Sequence, residues 1–283
     1  MKLVRYGEVG FEKTAVIVNG KMIDVGCLFQ HYDEGFFLGG LGVLETWVDG
    51  GCEGGKDVPD GVRVGTPISR PSKIVCVGKN YAEHAKEFGG EVPTEPVLFM
   101  KASSAYSGPF DDVETPIGST QLDYEVELAV VIGETAKNVS EESAKDYIAG
   151  YCVIGDYSER EFQKFRCGQW TKGKSADTFA PMGPYLVSCD EVGDTGSLNI
   201  WTKVNGEMRQ NANTGEMVFS VPYLVSYISQ FMTLLPGDVI ATGTPSGVGM
   251  GMVPPQYLRA GDLVEMGIEG IGEIAQRVVG SGC

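Results

Sequence analysis

A β-rich α+β fold built on mixed or antiparallel sheet is what this 283-residue sequence predicts. Three observations carry that prediction. Segments with strand-type alternation outnumber those with helical spacing. No regular strand–helix repeat runs along the chain, which disfavours a doubly wound sheet. Forty glycines and fourteen prolines imply many turns.

In chain order, residues 1 to about 25 alternate, and the tight "VNGK" predicts a hairpin. Residues 27 to 50 hold a short helix, and Asp49 to Gly61 reads as loop. "IVCVG" is a short buried strand. A boundary near residue 70 divides a small N-terminal α/β region, 1–70, from the main body, 71–283. "NYAEHAKEFG" reads as a short helix, with Asn80 as cap, Glu83 at the capping-box offset and Gly89–Gly90 as its end. "PVLFMK" is a strand. "SEESAKDYIAGYCVIG" reads as a Ser-capped helix running into a strand. "ISQFMTLLPGDVIATGTP" reads as helix, Pro-Gly turn and strand. The last segment, "LRAGDLVEMGIEGIGEIAQRVV", alternates like sheet around a Gly261–Asp262 turn.

Charge narrows the classes of partner. The formal net charge of -16 repels phosphate backbones and anionic lipid, so neither nucleic acid nor a membrane is expected. No apolar run reaches eighteen residues, and the first residues lack a signal-peptide core. The seven cysteines are odd in number and form no CxxC pair, which suits reduced thiols. A cytoplasmic protein is the expectation.

Chemistry concentrates in "LDYEVELAVVIG". On a continuous strand Asp123, Glu125 and Glu127 share one face, and three like charges there repel. Two readings fit. Either the face is a solvated edge, or Glu125 and Glu127 hold a divalent cation with Asp156, which ends the strand in "VIGDYSERE". An all-oxygen set of this kind favours Mg²⁺ or Mn²⁺. Asp123 is then a flanking group.

The chain has two histidines. His84 has Glu87 three residues on, on the same helical face. That pair is a general base with its orienting carboxylate, or an ordinary surface pair. His31 has no comparable partner and reads as structural. Lys172 and Lys174 in "QWTKGKSADTF" face an anionic substrate or plain solvent. "ATGTPSGVG" offers backbone donors and hydroxyls, including Thr244, for a carboxylate, or is a tight turn. It is no Walker A, since no GK[ST] follows.

Together these segments resemble the fumarylacetoacetate hydrolase family over roughly Lys73 to Val279. The pieces are "IVCVGKNYAEHAKE", "PVLFMKASSAYSGPFD", "LDYEVELAVVIG", "GYCVIGDYSEREFQ", "WTKGKSADTFAPMGPYLV", "MVFSVPYLVSYISQFMTLLPGDVIATGTPSGVG" and "LRAGDLVEMGIEGIG", in that order. The resemblance implies a mixed-sheet β-roll of that family's C-terminal domain type and a homodimer. It implies Glu125, Glu127 and Asp156 as ligands of Mg²⁺ or Mn²⁺. It implies a His84–Glu87 dyad, an active-site lysine at Lys174 and a carboxylate-binding threonine at Thr244. Lys101, Arg160 and Gln163 match motif positions near the pocket.

The expected activity is hydrolysis of a C–C bond in a 2,4-diketo acid, giving pyruvate and a carboxylic acid. The wording is nearest to members acting on diketo-deoxy sugar acids, alongside acylpyruvate hydrolases. A ureidoglycolate lyase label, often attached to similar sequences, suits a 2-oxo acid site less well. Oxaloacetate decarboxylation and diacid isomerisation use related chemistry and remain alternatives. From another class, so does a non-enzymatic scaffold binding Ca²⁺ or a protein. The loops Phe88–Pro93, Phe162–Trp170 and Met250–Tyr257 are expected to meet the distal part of the substrate. There, Trp170 and Phe165 line the wall or pack the core.

Overall fold

The computed structural model describes residues 1–87 and 89–281. Phe88, named above, and Cys283, one of the seven cysteines, lie outside them. The chain opens with strands β1 (Lys2–Tyr6), β2 (Lys13–Val18) and β3 (Lys21–Asp24). The predicted hairpin turn falls between β2 and β3, where Asn19 and Gly20 both take the positive φ of a tight hairpin turn. The single helix expected over 27–50 is two helices, α1 (Glu34–Phe37) and α2 (Gly40–Asp49). The loop after them contains a two-residue strand, β4 (Lys56–Asp57).

The main body begins with β5 (Ile74–Gly78), α3 (Ala82–Glu87) and β6 (Val97–Lys101), followed by the short strands β7 (Tyr106–Ser107), β8 (Val113–Glu114) and β9 (Leu122–Asp123). Then come β10 (Val126–Ile132), β11 (Ile148–Gly155), β12 (Ser158–Glu159), α4 (Arg160–Phe165), α5 (Thr171–Lys174), β13 (Ala180–Ser188) and α6 (Cys189–Val192). The chain finishes with β14 (Asn199–Val204), β15 (Glu207–Asn213), α7 (Val221–Phe231), β16 (Val239–Ala241), β17 (Leu263–Ile268) and β18 (Gly272–Val279).

These strands form large mixed sheets. The biggest runs β4-β3-β2-β1-β13-β11-β10-β16-β5-β6, with β7 attached to β13. Most pairs are antiparallel, but β16 runs parallel to β5, and β7 parallel to β13. A five-stranded sheet, β15-β14-β17-β18-β8, stands beside it. The first seventy residues join the rest edge to edge, because β1 pairs with β13. A sheet-rich α+β architecture is thus the observed fold.

Central strands are buried on both faces and, Glu127 apart, β10 and β11 are apolar. Every residue of β10 and β11 is buried. Each buried Val or Ile contributes about 1.5–3 kcal/mol, so these two strands anchor whatever is fixed to their ends. Helix α7 shows the amphipathic counterpart. Ser220 accepts from the Tyr223 N–H at its start, and Val221, Leu224, Val225 and Ile228 bury one face. After α7, the Pro-Gly turn sits before β16, with Gly237 at φ 85° and Asp238 N–H donating to Leu235 O.

Three local expectations are corrected. The acidic strand is not continuous. It breaks at Tyr124–Glu125 because β9 pairs with β12 while β10 pairs with β11. Asn80 does not cap α3. Its side chain bridges Phe219 N–H, Phe219 O and Thr242 O instead, and Glu83 pairs with Lys86 at the surface. The helix expected before β11 is only a 3-10 turn over Ala144–Tyr147. Six cysteines among the described residues are free thiols. No helix among them is long and apolar enough to cross a membrane.

Candidate active site

The break in the acidic strand builds the site. Asp156 N–H donates to Glu125 O, so the end of β11 is tied to the residue just before β10. Glu125, Glu127 and Asp156 then converge, with one carboxylate oxygen of each within 4.8 Å of the others. They are 4%, 2% and 0% exposed, which removes the solvated-edge reading. Asp123 turns elsewhere. It accepts from Arg160 Nε and from the N–H groups of Gly249 and Met250.

Three buried cations stand against these carboxylates. Lys174 Nζ donates to Glu125 Oε2 at 2.5 Å and Asp156 Oδ2 at 2.6 Å. Arg160 bridges Asp123 and Glu125, with its Nη2 2.7 Å from Glu125 Oε1. Lys101 Nζ meets Asp156 Oδ1 at 2.5 Å and Tyr157 O at 3.1 Å. Burial opposes the charge on Glu125, yet Arg160, Lys174 and His84 outweigh it and hold its carboxyl well below the usual range. Burial likewise opposes the Lys174 ammonium, but Asp156 and Glu125 hold it charged.

Glu127 is the exception. It accepts from Gly243 N–H at 2.8 Å. Burial, Asp156 and Glu125 together push its carboxyl well above the ordinary value. Four buried carboxylates, Asp123 included, face three buried cations. The cluster is therefore short of positive charge, and the shortage centres on Glu127. A divalent cation held by Glu125, Glu127 and Asp156 would supply it. All three donors are carboxylate oxygens, which suits Mg²⁺ or Mn²⁺. With the cation bound, the cluster carries one net positive charge and favours an anion.

Glycines at close approaches position two of these groups. Gly173 lies against α4, where an added Cβ would stand 2.4 Å from Glu159 O and 2.5 Å from Gln163 N. Only glycine permits that contact, and it delivers Lys174 into the cluster while Lys172 stays exposed, donating to Arg166 O. Gly243 has φ 104°, and a Cβ there would stand 2.7 Å from Asn80 Cβ. That backbone turns its N–H onto Glu127.

His84 and Glu87 meet as their spacing suggests. His84 Nδ1 lies 3.0 Å from Glu87 Oε2, and Glu87 Oε1 accepts from Gly247 N–H at 2.7 Å. A carboxylate accepts, so Nδ1 carries the proton of the neutral ring and Nε2 keeps the lone pair. His84 is 6% exposed and lines the same cavity as the carboxylates.

That cavity has a volume of about 260 Å³. It is small for a ligand pocket and suits a short acid. Arg160, Gln163, Lys174 and Thr244 also line it. Gln163 Oε1 accepts from Arg160 Nη1. Lys101, expected at the substrate, is not a lining residue. It sits behind Asp156 and fixes that carboxylate instead. Trp170 lines the cavity with Phe99, their rings 5.3 Å apart, whereas Phe165 is 72% exposed and does neither job expected of it.

Gln210, absent from the sequence reading, supports the site from behind. It is fully buried. Its Oε1 accepts from Val126 N–H and Thr202 Oγ1, and its Nε2 donates to Thr244 Oγ1 and Pro245 O. The Val126 N–H can only donate, which fixes the amide orientation. Thr244 Oγ1 therefore accepts a hydrogen bond from Gln210, and its own hydroxyl proton is available to the cavity. Little in the sequence marks it: β15 is polar at five of its seven positions, and Gln210 is the one of them that is buried.

A mixed-sheet roll with an acid-rich cation site and an imidazole beside it defines a recognisable class. The fumarylacetoacetate (FAA) hydrolase C-terminal family profile matches residues 73–279, and the chain belongs to that family. A Burkholderia multivorans protein whose name goes no further than hydrolase is 49% identical over 98% of each chain. A fumarylacetoacetate hydrolase from Exiguobacterium antarcticum superimposes with a TM-score of 0.85 at 38% identity, covering 99% of each chain. Maleylpyruvate hydrolase from Sphingobium sp. SYK-6, solved with manganese(II) and pyruvate, gives 0.81 at 30% identity, covering both chains fully. A 2-hydroxyhepta-2,4-diene-1,7-dioate isomerase from Mycobacterium marinum gives 0.76 at 35%, again over both whole chains. The similar structures thus include hydrolases and an isomerase.

Proposed function

We propose that this protein hydrolyses a C–C bond of a 2,4-diketo acid, an acylpyruvate or diketo-deoxy sugar acid, to pyruvate and a carboxylic acid. One observation carries the reading. A three-carboxylate cation site and an imidazole oriented as a base line one small cavity. The solved relative holding manganese(II) and pyruvate supports the metal and the product.

Bound at Glu125, Glu127 and Asp156, Mg²⁺ or Mn²⁺ would supply Lewis-acid stabilisation of negative charge on the 2-oxo acid end of the substrate. The chain's own groups do the rest. Thr244 donates its hydroxyl proton to the substrate carboxylate. His84, its Nδ1–H held by Glu87, takes a proton at Nε2 from water. The resulting hydroxide adds to the carbonyl carbon at position 4. The Lys174 ammonium stabilises the oxygen that becomes negative. The bond between carbons 3 and 4 breaks, and its electron pair passes to carbon 3. The imidazolium returns its proton there, completing pyruvate, while the acyl fragment leaves as the acid.

Decarboxylation needs no activated water, so the His84–Glu87 pair favours hydrolysis over it, whereas isomerisation can use the same base and is separated by its product. A substrate panel tests this: an acylpyruvate, a diketo-deoxy sugar acid, oxaloacetate and a dienoic diacid. Pyruvate with an equal amount of acid from either diketo compound supports the proposal. Pyruvate and CO₂ from oxaloacetate alone, or an isomer without cleavage, contradicts it.

Two substitutions probe individual steps. Thr244→Val removes the carboxylate donor, and a charge-assisted hydrogen bond is worth about 1.5–3 kcal/mol. KM is expected to rise about tenfold or more with a smaller change in kcat, read from steady-state kinetics. Lys174→Met is expected to lower kcat by about 100-fold. It should not weaken metal binding, because the ammonium occupies two of the same carboxylates and competes with a cation there. Weaker metal binding in that variant, measured by calorimetry, would contradict the assignment.

A further inference from the structure

We infer that Trp170 sets the upper size limit of the substrate's acyl group, the part beyond carbon 4, and that Gly78 gives the indole its seat. This rests on the proposed function and deepens it. Trp170 has a helical backbone, with φ -62° and ψ -32°, and its carbonyl accepts from Gly173 N–H. It thus extends the single turn of α5 backwards by one residue. Lys174 lies four residues on and shares its face. Both side chains line the cavity. Phe99 joins them. The Lys174 ammonium stands 5.0 Å from the centre of the Phe99 ring, and the Trp170 ring meets Phe99 edge to face at 5.3 Å. The ammonium is assigned to the oxygen on carbon 4, so the two aromatic rings border the group attached to that carbon.

Gly78 shows that the indole is held in place. It ends β5, is buried and pairs with Val97 of β6. Its backbone is ordinary strand rather than left-handed, so the conformation alone accepts any residue. A Cβ there would nevertheless stand 2.8 Å from Cζ3 and 3.2 Å from Cη2 of Trp170. The six-membered ring of the indole fills the space that a side chain at 78 would take. Backed by β5 on one side and by Phe99 on another, the ring has no room to retreat from a larger ligand. The cavity offers little slack, since its volume of about 260 Å³ also serves the cation site and the base. Overfilling a packed site forces side chains off their preferred rotamers and costs free energy, so a longer acyl group is rejected.

A chain-length series tests the inference. Steady-state kinetics on the Mg²⁺-loaded protein would compare 2,4-dioxopentanoate, 2,4-dioxoheptanoate and 2,4-dioxononanoate, which share the reacting carbons and differ only in the acyl tail. In wild type, kcat/KM for the longest acid is expected to fall about tenfold or more below that for the shortest. In Trp170→Ala the ratio of longest to shortest should rise about tenfold, whatever the variant loses in absolute rate. Trp170→Phe should give a smaller rise and guards against an alanine variant that fails to fold. Gly78→Ala should change the ratio in wild type and lose most of that effect once Trp170 is alanine, because its methyl then meets no ring. A wild type that cleaves all three acids alike, or a ratio unchanged in both Trp170 variants, overturns the size limit and leaves the proposed function standing. A Gly78→Ala effect equally large with and without the indole contradicts the seat. Failure of wild type to cleave any of the three overturns the proposed function and the inference with it.

Discussion

Glu127→Gln is expected to abolish metal binding and turnover together while leaving the metal-free protein at least as stable as wild type. Glu127 is buried between Asp156 and Glu125, and its carboxyl is raised by that burial and by both neighbours. Replacing it with a neutral isostere removes the uncompensated charge from the metal-free cluster, and the amide oxygen still accepts from Gly243 N–H. The cation loses one of its three charged donors. Wild type at a metal concentration of 100 Kd gains about 2.7 kcal/mol of stability. The variant should gain almost none, and its kcat/KM should fall by about a thousandfold or more. Thermal denaturation with and without EDTA reads the first effect. A Glu127→Gln protein that kept the full metal-dependent rise in Tm would contradict the three-carboxylate site.

His84→Ala separates chemistry from metal binding. The imidazole is held by Glu87 and is not one of the three carboxylate donors, so the metal-dependent rise in Tm is expected to survive. Loss of the base should lower kcat by about 10²–10⁴. Glu87→Gln should give a smaller loss, because the ring stays in place but loses the negative charge that stabilises its protonated form. A His84→Ala enzyme with normal kcat would show that water is activated elsewhere.

Much of this was legible in the sequence, and what was not has a common physical cause. The β2–β3 hairpin and the Pro-Gly turn before β16 were readable because residues within the turn decide them. Glu125, Glu127 and Asp156 were suggested by alternation and by a strand end. The break between β9 and β10 was not, because it depends on pairing with β12, far along the chain. Asn80 looked like a helix cap because its true partners, Phe219 and Thr242, are about 140–160 residues away. Lys172 and Lys174 looked alike until the close packing of Gly173 buried one and left the other exposed. Lys101 matched a motif near the pocket, yet spacing alone could not tell a group facing substrate from one standing behind Asp156. Gln210 carries four hydrogen bonds that exist only after β10, β14 and the Thr244 loop have come together.

The most direct test of the central claim is cleavage of a short acylpyruvate in ¹⁸O-labelled water, with Mg²⁺ or Mn²⁺ and again after metal removal with EDTA. Metal-dependent release of pyruvate and an equal amount of acid, with the label in the new carboxylate of the acid, is the predicted result. Cleavage that survives thorough metal removal, or an acid product without label, would contradict it.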